Sequence, residues 1–245
     1  MNEMYQMNRK ESMIAFVICV FLALLDLLRF PASIIVNIEF KDINPIYFTL
    51  IINQWLLIVI GLIAIRLFCP HLKLGLNPKH FKKGYKQFFL SAFLMFAISA
   101  TAFSIFLIGR YDNTPTIWKV LTEGIFYYVS LAIIEELYIR GLLLNIIERI
   151  SVKSSKSTLI AILCSSIIFG LGHIPGMIGQ DFLTIFCRII WTISLGVYLG
   201  VIYKKTDNLW LPIIVHMIIN FCGLPFTFLK TPDYTAGMVI TIAFG

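Results

Sequence analysis

Two adjacent glutamates and an arginine interrupt the stretch AIIEELYIRGLLL, Ala132 to Leu144, which is otherwise aliphatic apart from one tyrosine. On a helix, Glu136 and Arg140 stand four residues apart on one face and can pair. Neighbouring residues diverge by about 100°, so Glu135 faces elsewhere, has no local cation and is a candidate general base. Ionisable groups in an apolar span are costly and mark functional sites. Two later segments carry matching groups. In SSIIFGLGHIPG, Phe169 and His173 share a helix face; in LWLPIIVHMIINF, His216 and Asn220 do the same. The chain has four histidines, and these are the two that fall in apolar spans. Glu135, His173, His216 and Asn220 are therefore expected to converge from three helices on one cavity.

That set suits one reaction. A glutamate and a histidine can together deprotonate a water. A second histidine and a carboxamide can hydrogen-bond the oxyanion formed when that water adds to a carbonyl. The outcome is amide hydrolysis without a covalent intermediate, and the chain has neither a GxSxG elbow nor a cysteine at motif spacing from a histidine. The rival chemistry is zinc bound by Glu135, His173 and His216. Because HExxH is absent, the expectation is no metal and no other cofactor. Pro212 is expected to loosen the helix that carries His216, and Glu123 to sit at the membrane interface.

The elements that hold these groups must be membrane helices. Of the 245 residues, 59% are hydrophobic and 13% charged, against about 45–50% and about 25% in soluble domains. A span takes about 20 mainly apolar residues. The spans read as Met13–Phe30, Pro45–Phe68, Phe88–Gly109, Trp118–Glu148, Thr158–His173, Phe182–Tyr203 and Leu209–Leu229, with Tyr234–Gly245 as a short eighth candidate. The expected fold is an all-α polytopic bundle of seven to eight transmembrane helices. It is read as one integral membrane domain, residues 1–245, with a catalytic core at about 118–229 and accessory helices over 13–109. Asp26 and the absence of a clean cleavage site favour an uncleaved first span. With the N-terminus in the cytoplasm, thirteen lysines and arginines fall on the inner side and five on the outer, as the positive-inside rule requires.

The net charge of +7 belongs to loops beside spans, so the expected partner is the bilayer and not nucleic acid. Asn77–Phe89 mixes lysines with aromatics and reads as an interfacial or positive-inside loop, with His71 and His80 solvated. Asp26 and Arg188, near span ends, read as snorkelling. The five scattered cysteines read as small buried hydrophobes.

The three motifs resemble a known family. EELYIR fits EExxxR, FGLGH fits FxxxH and HMIIN fits HxxxN, in this order on successive spans. Together with RG after the first motif and LWLPIIVH at the third, they are similar to the CAAX protease and bacteriocin-processing family, also called the ABI or type II CAAX prenyl endopeptidase-like family. The resemblance covers roughly Glu123–Phe221 and implies an intramembrane glutamate protease reached from the cytoplasm. It implies that Glu135 and His173 activate water, that His216 and Asn220 stabilise the oxyanion, and that Glu136 and Arg140 hold the site with Phe169 packed beside it. Ile139 replaces the phenylalanine many members carry there. The Ile- and Lys-rich composition suits a low-GC bacterium, so a multi-pass cell-membrane enzyme is expected to act on a peptide precursor or a membrane protein, in pheromone or bacteriocin processing or self-immunity. Two other classes stay open: a non-catalytic scaffold or immunity factor that keeps the motifs, and a transporter. Oligomeric state is not readable from the sequence.

Overall fold

The computed structural model describes residues 8–30, 32, 43–78, 80–105, 116–151 and 156–222. Among them there is no strand. Among the described residues seven helices carry the architecture: α1 (Arg9–Leu27), α2 (Pro45–Phe68), α3 (Phe81–Ile105), α4 (Ile117–Ile150), α5 (Ser157–Leu171), α6 (Phe182–Thr206) and α7 (Trp210–Cys222). A 3-10 turn, Ile174–Met177, follows α5. Four segments are long and apolar enough to cross a membrane: α2, α4, α5 with its following turn, and α6. The chain is a helical, multi-pass membrane protein. The rest of the seventh expected span, to Leu229, and Tyr234–Gly245 lie outside the described residues.

Helix ends follow local chemistry. Helix α1 starts at Arg9 and not Met13 because Asn8 and Glu11 form a capping box: the Asn8 side chain accepts from Glu11 N at 2.9 Å, and Glu11 accepts from Asn8 N at 3.0 Å. Glu11 also meets His71 Nδ1 at 2.7 Å, so His71, expected to be solvated, ties α1 to the end of α2. Asn44 and Pro45 open α2, which spans the range read from the sequence. Helix α3 begins at Phe81, so much of the expected loop Asn77–Phe89 is its first turns. Phe81 and Phe88 there pack on a cluster from α6 and α7. Asp181 caps α6 through Thr184 N at 3.0 Å.

Helix α4 is the hub; it packs on α1, α2, α5, α6 and α7. It winds with π-helical turns at Val120–Phe126 and Leu137–Leu144, a widening often found at functional sites. Its Ser130 Oγ donates to Gln54 Oε1 of α2 at 2.6 Å. Glu123, expected at the interface, is buried and accepts from Asn44 N at 2.6 Å. Among the described cysteines, Cys19, Cys69 and Cys187 are buried as expected, whereas Cys164 is exposed. Many large apolar side chains face outward, among them Phe16, Val59, Leu159 and Phe182. In water that would be a liability, and in lipid it is the expected surface.

The start of α7, and hence the height of His216, is fixed by a latch. Leu209 N donates to Gly75 O at 3.1 Å, Asn208 Nδ2 to Asn77 O at 2.8 Å and Trp210 Nε1 to Leu76 O at 2.6 Å. Gly75 has φ +71°, and a Cβ there would lie 2.3 Å from Asp207 O, so only glycine fits. Pro212 does not loosen α7. It sits in the first turn, where the backbone N–H has no intrahelical partner to lose.

Candidate active site

Six of the seven sequence-predicted groups meet in two connected layers, and Asn220 lies one turn beyond His216 outside both. The inner layer is a charged knot. Glu136 Oε1 accepts from Arg140 Nη1 at 2.7 Å and from His216 Nδ1 at 2.8 Å. Glu136, Arg140 and His216 are all buried. Arg140 Nη2 donates to the carbonyl of Gly196 in α6 at 3.2 Å. The guanidinium lies over the Phe169 ring, 4.7 Å from its centroid. That ring stands edge-on to His173 at 4.9 Å and to His216 at 5.9 Å. Phe169 is thus wedged between the arginine and both imidazoles, and the i,i+4 pairing of Glu136 with Arg140 forms as the spacing predicts.

The Arg140 anchor depends on a close helix approach. A Cβ on Gly196 would lie 2.9 Å from Ser166 Cβ and 3.1 Å from Ser166 Cα. Helices α5 and α6 meet through small residues, as membrane helices do. The sequence held this signal in SSIIFG and LGVYLG, but nothing there linked Gly196 to the arginine.

The outer layer faces a cavity of about 590 Å³. Glu135, Phe169 and His173 line it, with Phe16, Val20, Leu24 and Asp26 of α1 opposite. Its volume is in the range of ligand sites. Glu135 points away from Glu136, as the divergence of neighbours requires, and its Oε2 lies 3.6 Å from His216 Nε2. His216 therefore bridges the two glutamates, and Glu135 has a cationic-capable neighbour that the sequence reading did not give it. With Nδ1–H donated to Glu136, the Nε2 of His216 offers a lone pair when the ring is neutral and a proton when it is charged.

His173 lies just past the end of α5, after Gly172. Its Nδ1 is 2.9 Å from the Phe169 carbonyl. A carbonyl only accepts, so Nδ1 carries the proton and Nε2 is left with its lone pair. Asn220 follows His216 by one turn of α7, and its Nδ2 is buried with no partner among the described residues. An orphaned buried donor is expensive.

Asp26 corrects one sequence reading. It was expected to snorkel; instead it lines the cavity, with Oδ1 buried and without a partner among the described residues. The signal was present, an acid in an apolar helix, but closeness to the span end disguised it. Arg188 lies against Trp191, 5.4 Å from the ring centroid. Among the described residues, no three His, Cys, Asp or Glu side chains are grouped as ligands of one ion.

Residues 116–222 match the family model described as type II CAAX prenyl endopeptidase Rce1-like. No curated protein and no solved structure matches the chain. The match covers α4 to α7, the helices that supply every member of the knot, and agrees with the motifs EELYIR, FGLGH and HMIIN. Residues 116–222 are thus a domain of the type II CAAX prenyl endopeptidase Rce1-like family.

Proposed function

We propose that the chain is an intramembrane endopeptidase that hydrolyses a peptide bond with water activated by Glu135 and His173. The observation that carries this reading is the division of the site: Glu135 and His173 face one cavity, while Glu136 and Arg140 are spent on holding His216. In the reaction, Glu135 takes a proton from water while His173 Nε2 accepts a hydrogen bond from it. The oxygen adds to the carbonyl carbon. The oxyanion is held by the Asn220 amide and by Nε2–H of His216 in its charged form. Glu135 then returns the proton to the leaving nitrogen as the C–N bond breaks, giving a carboxylic acid and an amine. No covalent intermediate and no metal take part.

The substrate is a membrane-associated peptide or protein; a bacterial pheromone or bacteriocin leader fits, and a self-immunity role is the cellular counterpart. The test is mass spectrometry of a panel of hydrophobic peptides incubated with purified protein. Wild type, Glu135→Gln and His173→Ala are compared, with and without chelator. Cleavage by wild type that is lost in Glu135→Gln and insensitive to chelator is the expected result. Cleavage surviving Glu135→Gln removes the proposed base, and chelator-sensitive cleavage replaces it with a metal. If no peptide is cleaved, the motifs serve a scaffold or immunity role.

A further inference from the structure

We propose that Asp26 is a specificity-determining residue: the cavity it shares with Glu135 and His173 takes a peptide segment bearing a lysine or arginine side chain, whose cation pairs with the Asp26 carboxylate. The inference rests on the peptidase reading for its chemistry but on separate residues for its evidence. Asp26 belongs to α1, outside the family-matched segment, and faces the water-activating pair across the cavity.

Its surroundings do not explain it. Asp26 stands in the last turn of α1, a turn with no basic residue, where the helix dipole disfavours negative charge. Oδ1 is buried without a partner among the described residues. Asn53 of α2, which donates to the neighbouring Leu25 O at 3.5 Å, is close by but brings no charge. Among the described residues no lysine, arginine or histidine forms an ion pair with it; Arg29, three residues on, is exposed and makes none. An unpaired acid at this place costs stability unless something outside the chain answers it.

Charge and shape specify the answer. Among the described residues the acids around the site are Asp26, Glu135 and Glu136; Arg140 is committed to Glu136, and Arg188 of α6 acts on the His173 side, not on Asp26. The cavity is therefore electronegative. The wall next to Asp26 is apolar, with Val20, Ala23, Leu24 and Leu27. A long side chain with a methylene stem and a charged tip matches both features: the stem lies along the aliphatic wall and the tip reaches the carboxylate. Held there, the cation fixes the peptide against Glu135 and His173, so the carbonyl to be attacked is one near the basic residue.

The test uses the full-length protein in detergent and hydrophobic peptides that carry one lysine at successive positions. Each is matched by the same peptide with N-acetyl-lysine, which keeps the stem and removes the charge. Binding is read by fluorescence anisotropy on Glu135→Gln, which prevents turnover, and cleavage by mass spectrometry on protein with Glu135 intact. A charge-assisted pair predicts that lysine binds roughly 10- to 100-fold tighter than N-acetyl-lysine at the best position. That ratio should fall to near one when Asp26→Asn is added. Asp26→Glu should keep the preference, which separates loss of charge from loss of fold. Equal binding of the two peptides, or a lysine preference that persists in Asp26→Asn, overturns the proposal. Cleavage without Asp26-dependent discrimination leaves the peptidase standing and this inference refuted. Asp26-dependent binding without cleavage does the reverse.

Discussion

Gly196→Ala sets two physical effects against each other and so tests how the site is held. In a helix interior, glycine is worse than alanine by about 0.8–1 kcal/mol, so propensity alone predicts that the variant is more stable. Close packing predicts the opposite. The new Cβ would sit 2.9 Å from Ser166 Cβ and 3.1 Å from Ser166 Cα. Neither atom is the end of a flexible chain, so α5 and α6 must move apart by some tenths of an ångström. Overpacking of this kind costs about 1–3 kcal/mol. The movement also draws the Gly196 carbonyl away from Arg140 Nη2, now at 3.2 Å, and leaving that buried donor short adds about 1–3 kcal/mol. Against the propensity gain, a net destabilisation of about 1–5 kcal/mol is expected. Thermal unfolding in detergent, followed by circular dichroism, measures it. Ser166→Gly removes the opposing Cβ, and the Ser166 hydroxyl is satisfied within its own helix by Ile162 O at 2.6 Å. In the double variant it should restore much of the loss, with a coupling of about 1 kcal/mol or more. A Gly196→Ala protein that melts at or above wild type, or a Ser166→Gly change that simply adds to the damage, would refute the close approach as the anchor of Arg140.

Arg140→Met should destabilise by about 3–5 kcal/mol by removing the guanidinium from the buried Glu136 and leaving it only the His216 Nδ1 contact; adding Glu136→Gln should recover a large part, measured by the same unfolding assay. Asn220→Ala should lower kcat by about 100- to 1,000-fold with little change in unfolding temperature, because its Nδ2 has no partner to lose among the described residues. Comparable losses of stability and activity would reassign it to structure. Burial raises the Glu11 carboxyl pKa, but hydrogen bonds from Asn8 N and His71 outweigh that and hold it below its ordinary value. A lowered folded pKa gives stability that is present above the unfolded carboxylate range and is lost as pH falls through the folded value. Wild type should therefore melt above Glu11→Gln at neutral pH, and the two should converge in acid; a gap that widens in acid would reverse the assignment.

What the sequence disclosed depended on whether the signal was local. The pairing of Glu136 with Arg140, the divergence of Glu135 and the shared faces of Phe169 with His173 and His216 with Asn220 all follow from helical spacing. The range of α2 followed from its predominantly apolar run between Asn44 and Cys69. Contacts between helices were not legible. His216 reaching both glutamates, Gly196 lending its carbonyl to Arg140, and Asp26 turning inward are set by rotation and tilt of whole helices, which a periodicity argument leaves free. Helix α3 was misplaced at its start because lysines at 82, 83 and 86 mask an aromatic face that packs inward. His71 looked solvated because its partner, Glu11, lies sixty positions away.

The same reasoning explains why the site carries six polar groups where the proposed reaction uses four. A carboxylate and a guanidinium placed alone in a membrane interior would be too costly to keep, but here each cost is offset by another member of the set. Glu136 Oε1 receives two donors, Arg140 divides its charge between that oxygen, the Gly196 carbonyl and the Phe169 face, and the His216 ring is pinned by its Nδ1. None of these groups can move without breaking an interaction that cannot be replaced by water. Among the described residues the valences left open are the Glu135 carboxylate, Nε2 of each histidine, the Asn220 amide and the buried Oε2 of Glu136, and Glu135 and His173 border the cavity. Rigidity is therefore concentrated in Glu136 Oε1, Arg140 and the His216 ring, and most of the open hydrogen-bonding capacity in the groups assigned to the proposed reaction, which is the arrangement electrostatic preorganisation requires.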